Sequence, residues 1–281
     1  MAEIFDSRVC ELGEGPFWHP ERQQFFWFDI LNKRLYSRQG DVALHWEMDE
    51  LTSAAGWIDR DRLLIATETG LYIYDLESWA KELVVQIEAG RPETRSNDGR
   101  ADPWGGFWIG TMGKSAEPGL GAIYRYAAGE LRALVTGITV PNSICFAPDR
   151  SCAYYADSRQ RQILRQPLDP AGWPQGEASV FVDLVADARN PDGSVTDAEG
   201  GLWNAQWGSA RVARYFPDGR FDRAFDLGGR HSSCPAFGGA GYERLFVTSA
   251  LEALKDPQPG DGLTYEVVPH VKGLAEPQVQ L

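Results

Sequence analysis

The stretch Pro141-Asn142-Ser143-Ile144-Cys145-Phe146-Ala147-Pro148-Asp149-Arg150-Ser151-Cys152-Ala153-Tyr154-Tyr155-Ala156-Asp157 holds one structural unit. It has a polar entry behind a proline, a short apolar strand, a Pro-Asp turn and then an aromatic strand. Copies begin near Gly15-Pro16-Phe17-Trp18, Ala54-Ala55-Gly56-Trp57, Asn97-Asp98-Gly99-Arg100, Pro191-Asp192-Gly193-Ser194 and Cys234-Pro235-Ala236-Phe237. Counting the quoted unit, the starts are separated by 39, 43, 44, 50 and 43 residues. Spacing near forty, with two hairpins per copy, is the period of a four-stranded propeller blade. Six copies predict an all-β, six-bladed β-propeller forming one domain over residues 1–281. A propeller must close its ring, or its edge strands invite aggregation. The run Ala2-Glu3-Ile4-Phe5-Asp6 is expected to supply the outer strand of the last blade, beside Gly262-Leu263-Thr264-Tyr265-Glu266-Val267-Val268.

Composition agrees with a folded globule: 43% of the 281 residues are hydrophobic and 24% charged. The net charge of −13 disfavours phosphate backbones and anionic lipid, so neither nucleic acid nor a membrane is an expected partner. No apolar run reaches the roughly 18 residues of a membrane span. The N-terminal segment carries Glu3 and Asp6 and lacks the apolar stretch of a signal peptide, so a cytoplasmic protein is expected, as a monomer or weak homo-oligomer. Cys10, Cys145, Cys152 and Cys234 lie far apart and read as reduced thiols rather than disulfides or zinc ligands.

The unusual polar residues sit at blade entries. Glu14, Asn97, Asn142 and Asp192 occupy four of them, and in a propeller the entries converge at one mouth of the central channel. Each alone reads as a turn residue; at one phase of a six-fold repeat they form an all-oxygen set with two carboxylates. Such a set suits one divalent cation: calcium, magnesium, manganese or zinc. Other chemistries lack support. His19, His45, His231 and His270 have no metal-ligand spacing, and His19 reads as a structural or exposed turn residue. No G-x-S-x-G elbow occurs, and Gly119-Leu120-Gly121 lacks the strand-to-helix context of a phosphate loop. The tryptophans read as blade packing, with Trp207 placed where it could line the mouth.

On these residues the chain resembles the senescence-marker-protein/gluconolactonase family, also called the regucalcin family. The shared motifs are Leu12-Gly13-Glu14-Gly15-Pro16, Arg95-Ser96-Asn97-Asp98-Gly99-Arg100-Ala101-Asp102-Pro103, Gly110-Thr111-Met112, Pro141-Asn142-Ser143, Pro191-Asp192-Gly193 with Asp197-Ala198-Glu199-Gly200, and Cys234-Pro235-Ala236-Phe237-Gly238-Gly239. The resemblance implies a six-bladed propeller with one divalent metal in its channel. It implies Glu14, Asn142 and Asp192 as metal ligands, Arg95 and Asn97 as substrate contacts, and Asp192 as the general base. Vertebrate members carry an acid shortly after Gly-Thr-Met; here Gly113-Lys114-Ser115 follows, which sets the chain closer to bacterial aldonolactonases.

The function expected is metal-dependent hydrolysis of a small-molecule sugar lactone, such as a glucono-, galactono-, arabinono- or xylonolactone, to the aldonic acid. Two other readings compete: a calcium-binding regulatory or scaffold propeller, and a metal-dependent aryl-ester or organophosphate hydrolase.

Overall fold

The strand Gln24–Asp29 shows how the molecule packs. Successive side chains of a strand point to opposite faces, and both faces of this one are buried. Phe26 and Phe28 pack against Leu63, Ile65 and Tyr74 of the next sheet. Phe25 and Trp27 turn the other way, onto Ala236 and Phe246. Burying each such side chain stabilises by about 1.5–3 kcal/mol, which explains why the second strand of each unit is a nearly continuous apolar or aromatic run. Equivalent clusters lie between the other neighbours, around Phe107 and Leu64, Trp108 and Phe146, Tyr154 and Leu202, and Trp203 and Val247.

These packed sheets form an all-β, propeller-like ring in the computed structural model, which describes residues 2–281. Among the described residues every regular element is a strand, and no helix is long and apolar enough to cross a membrane. Four sheets are antiparallel four-stranded meanders, covering residues 13–47, 52–86, 94–138 and 141–183. The strands Gly13–His19, Thr52–Trp57, Thr94–Ala101, Pro141–Phe146, Asn190–Thr196 and His231–Gly238 open the successive units. Each packs against the next, and the last returns to the first.

The sequence reading expects six separate sheets, and the described residues form five. The strands of residues 190–226 and those of residues 231–267 share one eight-stranded sheet with the N-terminal strand, because the pair Trp207–His231 bridges the two groups. The N-terminal strand Glu3–Asp6 does pair antiparallel with Thr264–Val267, through Glu3 with Glu266, Ile4 with Tyr265 and Asp6 with Thr264. Phe5 seals that joint against Phe246 and Phe25, at 4.5 and 5.4 Å between ring centroids.

The opposite ends of the ring strands are covered by a C-terminal strap. Trp57 Nε1 donates to the Glu276 carbonyl at 2.8 Å, Val279 N to the Trp57 carbonyl at 2.9 Å, and Gln280 N to the Gly105 carbonyl at 2.8 Å. Val279 is buried, and Glu276 forms an ion pair with Arg100, an inward residue of a ring strand. The four cysteines are buried free thiols. His19 is fully buried and its Nε2 bonds the Asp59 carbonyl at 3.0 Å, so its role is structural and it is not exposed.

Candidate active site

All six ring strands carry a register irregularity at the same level: Glu14/Phe17, Thr52/Ala54, Ser96/Gly99, Asn142/Cys145, Pro191/Ser194 and Ser232/Pro235. A bulge leaves residues unpaired and re-aims their side chains. Glu14, Asn97, Asn142 and Asp192 stand at or beside these points. Two glycines make the geometry possible. Gly15, beside Glu14, has a φ of 52°, and a Cβ there would overlap the Ser53 carbonyl; a Cβ on Gly193, beside Asp192, would overlap the Cys234 thiol.

The result is one cavity of about 470 Å³ at this mouth of the ring, onto which Glu14, Arg95, Asn97, Asn142 and Asp192 all open. All five are at most 6% exposed. The amides are locked in a chain of hydrogen bonds. Arg95 Nη1 donates to Asn97 Oδ1 at 2.8 Å, and Asn97 Nδ2 donates to Asn142 Oδ1 and to the Pro141 carbonyl, both at 2.9 Å. Asn142 Nδ2 donates to Ser158 Oγ at 2.8 Å, and Ser158 passes a bond to the Pro191 carbonyl at 2.6 Å. The chain therefore crosses from the third unit to the fifth, one residue short of Asp192. The Asp192 carbonyl accepts from Ser143 Oγ at 2.6 Å and from Asn204 Nδ2 at 3.0 Å.

The carboxylates are left under-compensated. Glu14 accepts one bond, from Gly15 N at 3.1 Å, and among the described residues the Asp192 carboxylate takes no side-chain donor. Burial, with the charge of Asp98 next, pushes the Glu14 carboxyl up to about 8. Burial and the charge of Glu14 raise Asp192 well above the usual carboxylate range. Asp98, buried behind them and bonded by Ile144 N at 2.7 Å, is raised to about 6. Burial also pulls the Arg95 guanidinium down.

Among the described residues no three His, Cys, Asp or Glu side chains form a metal-binding cluster. The donors here are two carboxylates and an amide oxygen. Two buried, mutually repelling carboxylates with almost no donors, beside an amide oxygen held in place by Asn97, fit the needs of a hard divalent cation.

The cavity also contains residues that the repeat pattern misses. Glu252 follows a strand instead of opening one, Ser158 sits in a connection, and Asn190 is the first residue of the strand that carries Asp192. Lys114 lines the rim and pairs with Glu68 at 2.5 Å. Trp207 does line the mouth. A second cavity, of about 490 Å³, lies under the C-terminal strap and contains none of the five predicted site residues.

Comparison with known proteins places the chain in a family. The family model described as the SMP-30/Gluconolactonase/LRE-like region matches residues 12–251. The L-arabinolactonase of Azospirillum brasilense is 37% identical over 270 residues, spanning 94% of this chain and 87% of that protein. The 6-deoxy-6-sulfogluconolactonase of Pseudomonas putida is 31% identical over 274 residues, spanning 95% of this chain and 94% of that one. A crystal structure of regucalcin from Agrobacterium tumefaciens, described as a calcium-binding protein, superposes with a TM-score of 0.98 at 39% identity, covering 100% of this chain and 98% of the other.

Proposed function

We propose, since this chain belongs to the SMP-30/Gluconolactonase/LRE-like family, that it hydrolyses a sugar-acid lactone to the aldonic acid. It is a lactone-hydrolysing enzyme, a carboxylic ester hydrolase. The observation that carries the reading is the convergence of Glu14, Arg95, Asn97, Asn142 and Asp192 on one cavity of about 470 Å³. That volume suits a small-molecule ligand.

Glu14, Asn142 and Asp192 would hold one divalent cation: calcium, zinc, manganese or magnesium. Such an ion supplies Lewis acidity toward the lactone carbonyl and the attacking water. Asp192 takes the proton of that water as general base. Arg95 donates charge-assisted hydrogen bonds to lactone oxygens, and Asn97 fixes the Arg95 guanidinium through its 2.8 Å bond. The water oxygen bonds to the carbonyl carbon, the ring C–O bond breaks, and the ring oxygen leaves as a hydroxyl after taking up a proton. The product is an anion, and the net charge of −13 favours its departure slightly at physiological salt.

Further features of the reading are one domain and a cytoplasmic monomer or weak homo-oligomer. We read the eight-stranded sheet as two blades sharing one bridge, which makes the ring six-bladed. A second reading, calcium binding without catalysis, draws on the description of the Agrobacterium regucalcin. A pH-stat assay on several aldonolactones, with and without chelator, separates the two. Chelator-sensitive acid release supports the lactonase; tight calcium binding without acid release from any lactone refutes it.

A further inference from the structure

Two cavity-lining side chains have no part in this chemistry, and both are braced by His231. Trp207 is half-buried; its ring stacks on His231 at 4.2 Å between centroids and 23° between planes. His231 Nδ1 donates to the Glu252 carbonyl at 2.8 Å, and Glu252 N donates to the Glu11 carbonyl at 2.9 Å. His231 therefore fixes the tryptophan ring and the backbone from which the Glu252 side chain projects. Trp207 and Glu252 both open on the cavity, while His231 stays outside its lining.

Glu252 lines the same cavity as Glu14 and Asp192, and its charge bears on both. Its carboxylate takes no hydrogen bond among the described residues, and the positive charge that bears on it is Arg95. Among the described residues Arg95 in turn uses only Nη1, on the Ser96 carbonyl and on Asn97 Oδ1, both at 2.8 Å, leaving Nε and Nη2 to donate elsewhere. One cavity thus presents an aromatic surface, an unengaged acceptor and an unengaged donor. A polyhydroxylated ring offers the complement: an apolar C–H face, with hydroxyls at the edge that both donate and accept. A lactone without hydroxyls uses neither the carboxylate nor the spare guanidinium donors.

We infer that Trp207 and Glu252, held by His231, form a sugar-recognition wall that selects polyhydroxylated lactones over hydroxyl-free ones. This rests on the lactonase reading of the same site. Trp207 carries the C–H face of the ring and Glu252 accepts from its hydroxyls, so the wall acts on substrate binding and leaves the proton transfer at Asp192 alone.

The test compares glucono-δ-lactone with δ-valerolactone, which has the same ring size and no hydroxyls, on the parent and on Glu252→Gln and Trp207→Leu. A neutral acceptor bonds about half as strongly as a carboxylate. Glu252→Gln should therefore lower kcat/KM for gluconolactone about 10-fold, mostly through KM, and leave δ-valerolactone within about twofold. Trp207→Leu should show the same split. Glu252→Gln keeps the side-chain shape and decides the matter if Trp207→Leu melts early. Equal losses on both lactones, or none on gluconolactone, overturn the wall. If the parent hydrolyses neither lactone, the panel of aldonolactones judges the lactonase reading separately, and calorimetric binding of gluconate judges the wall: weaker binding by Glu252→Gln supports it, and equal or absent binding overturns it.

Discussion

Replacing Glu14 by Gln should stabilise the chelated protein at alkaline pH and remove much of the stabilisation that calcium gives. In the folded chain burial and the Asp98 charge push the Glu14 carboxyl from 4.5 to about 8; in the unfolded chain it titrates in the ordinary range. Between those values the folded state keeps a proton that the unfolded state has released. Stability of the chelated parent therefore falls as pH rises through that window. At about 1.4 kcal/mol per unit, a shift of this size corresponds to the order of 5 kcal/mol by the alkaline end. Gln has the same shape and does not titrate, so chelated Glu14→Gln escapes this slope and overtakes the parent as pH rises. Calcium works against that order and takes back about half of it at the alkaline end, because a ligand at 100 times its Kd adds about 2.7 kcal/mol to a protein that binds it, and the variant has lost one of its two carboxylate ligands. Urea unfolding followed by tryptophan fluorescence, at acid, neutral and alkaline pH with EDTA or calcium, reads both effects. A chelated Glu14→Gln less stable than the parent at pH above about 8, or a parent slope that calcium leaves unchanged, would refute the reasoning.

Asp192→Asn keeps a ligating oxygen and removes the proton acceptor, so kcat on aldonolactones should fall about 10²–10⁴-fold even at saturating metal; a cation-loaded variant at the parent rate shows that Asp192 is not the base. Arg95→Ala should lower kcat/KM by the equivalent of about 1.5–3 kcal/mol, one charge-assisted hydrogen bond, while calcium affinity by calorimetry stays near the parent's. Deleting residues 1–8 removes the strand Glu3–Asp6 and bares the edge Thr264–Val267; at about 2–4 °C per kcal/mol, Tm should drop by about 10 °C, and an unchanged melt would count against closure by this strand. Glu276→Gln leaves the Arg100 guanidinium, 8% exposed, without its carboxylate; breaking such a buried pair costs about 3–5 kcal/mol, measurable by urea unfolding.

The strands and the ring were legible because both follow from period. Phe25-Phe26-Trp27-Phe28 needs two apolar faces only if a sheet lies on each side, and units near forty residues recur along the whole chain. The fusion of the last two groups was not legible: it depends on one contact between Trp207 and His231, at the end of one strand and the start of another. The strap was not legible either, since residues 273–280 show no alternation and are held by backbone bonds to Trp57 and Gly105. Glu252 escaped because its position is outside the repeated phase, and only the packing of Leu251 and Glu252 on Glu11 brings it to the mouth.

The repeated bulge explains why the legible part of the site was legible. A regular strand alternates its side chains, so a residue one place out of phase would point into a sheet interface. At the bulge two residues face one on the partner strand, and one of them is free to turn toward the channel. The bulge itself holds Asn97 and Asp192 in the third and fifth units and Ser53, Ser143 and Ser233 in the second, fourth and last, while Glu14 and Asn142 stand one place before it, still in register with Phe28 and Ala156. The three serines bond backbone, Ser53 to the Asn97 carbonyl, Ser143 to the Asp192 carbonyl and Ser233 to the Gly13 carbonyl, and tie neighbouring ring strands together. The two acids and two amides in the bulge or just before it open on the cavity. Structure and chemistry thus share one short stretch of each ring strand, the bulge and the residue before it, and which units carry acids there decides where in the channel a cation would sit.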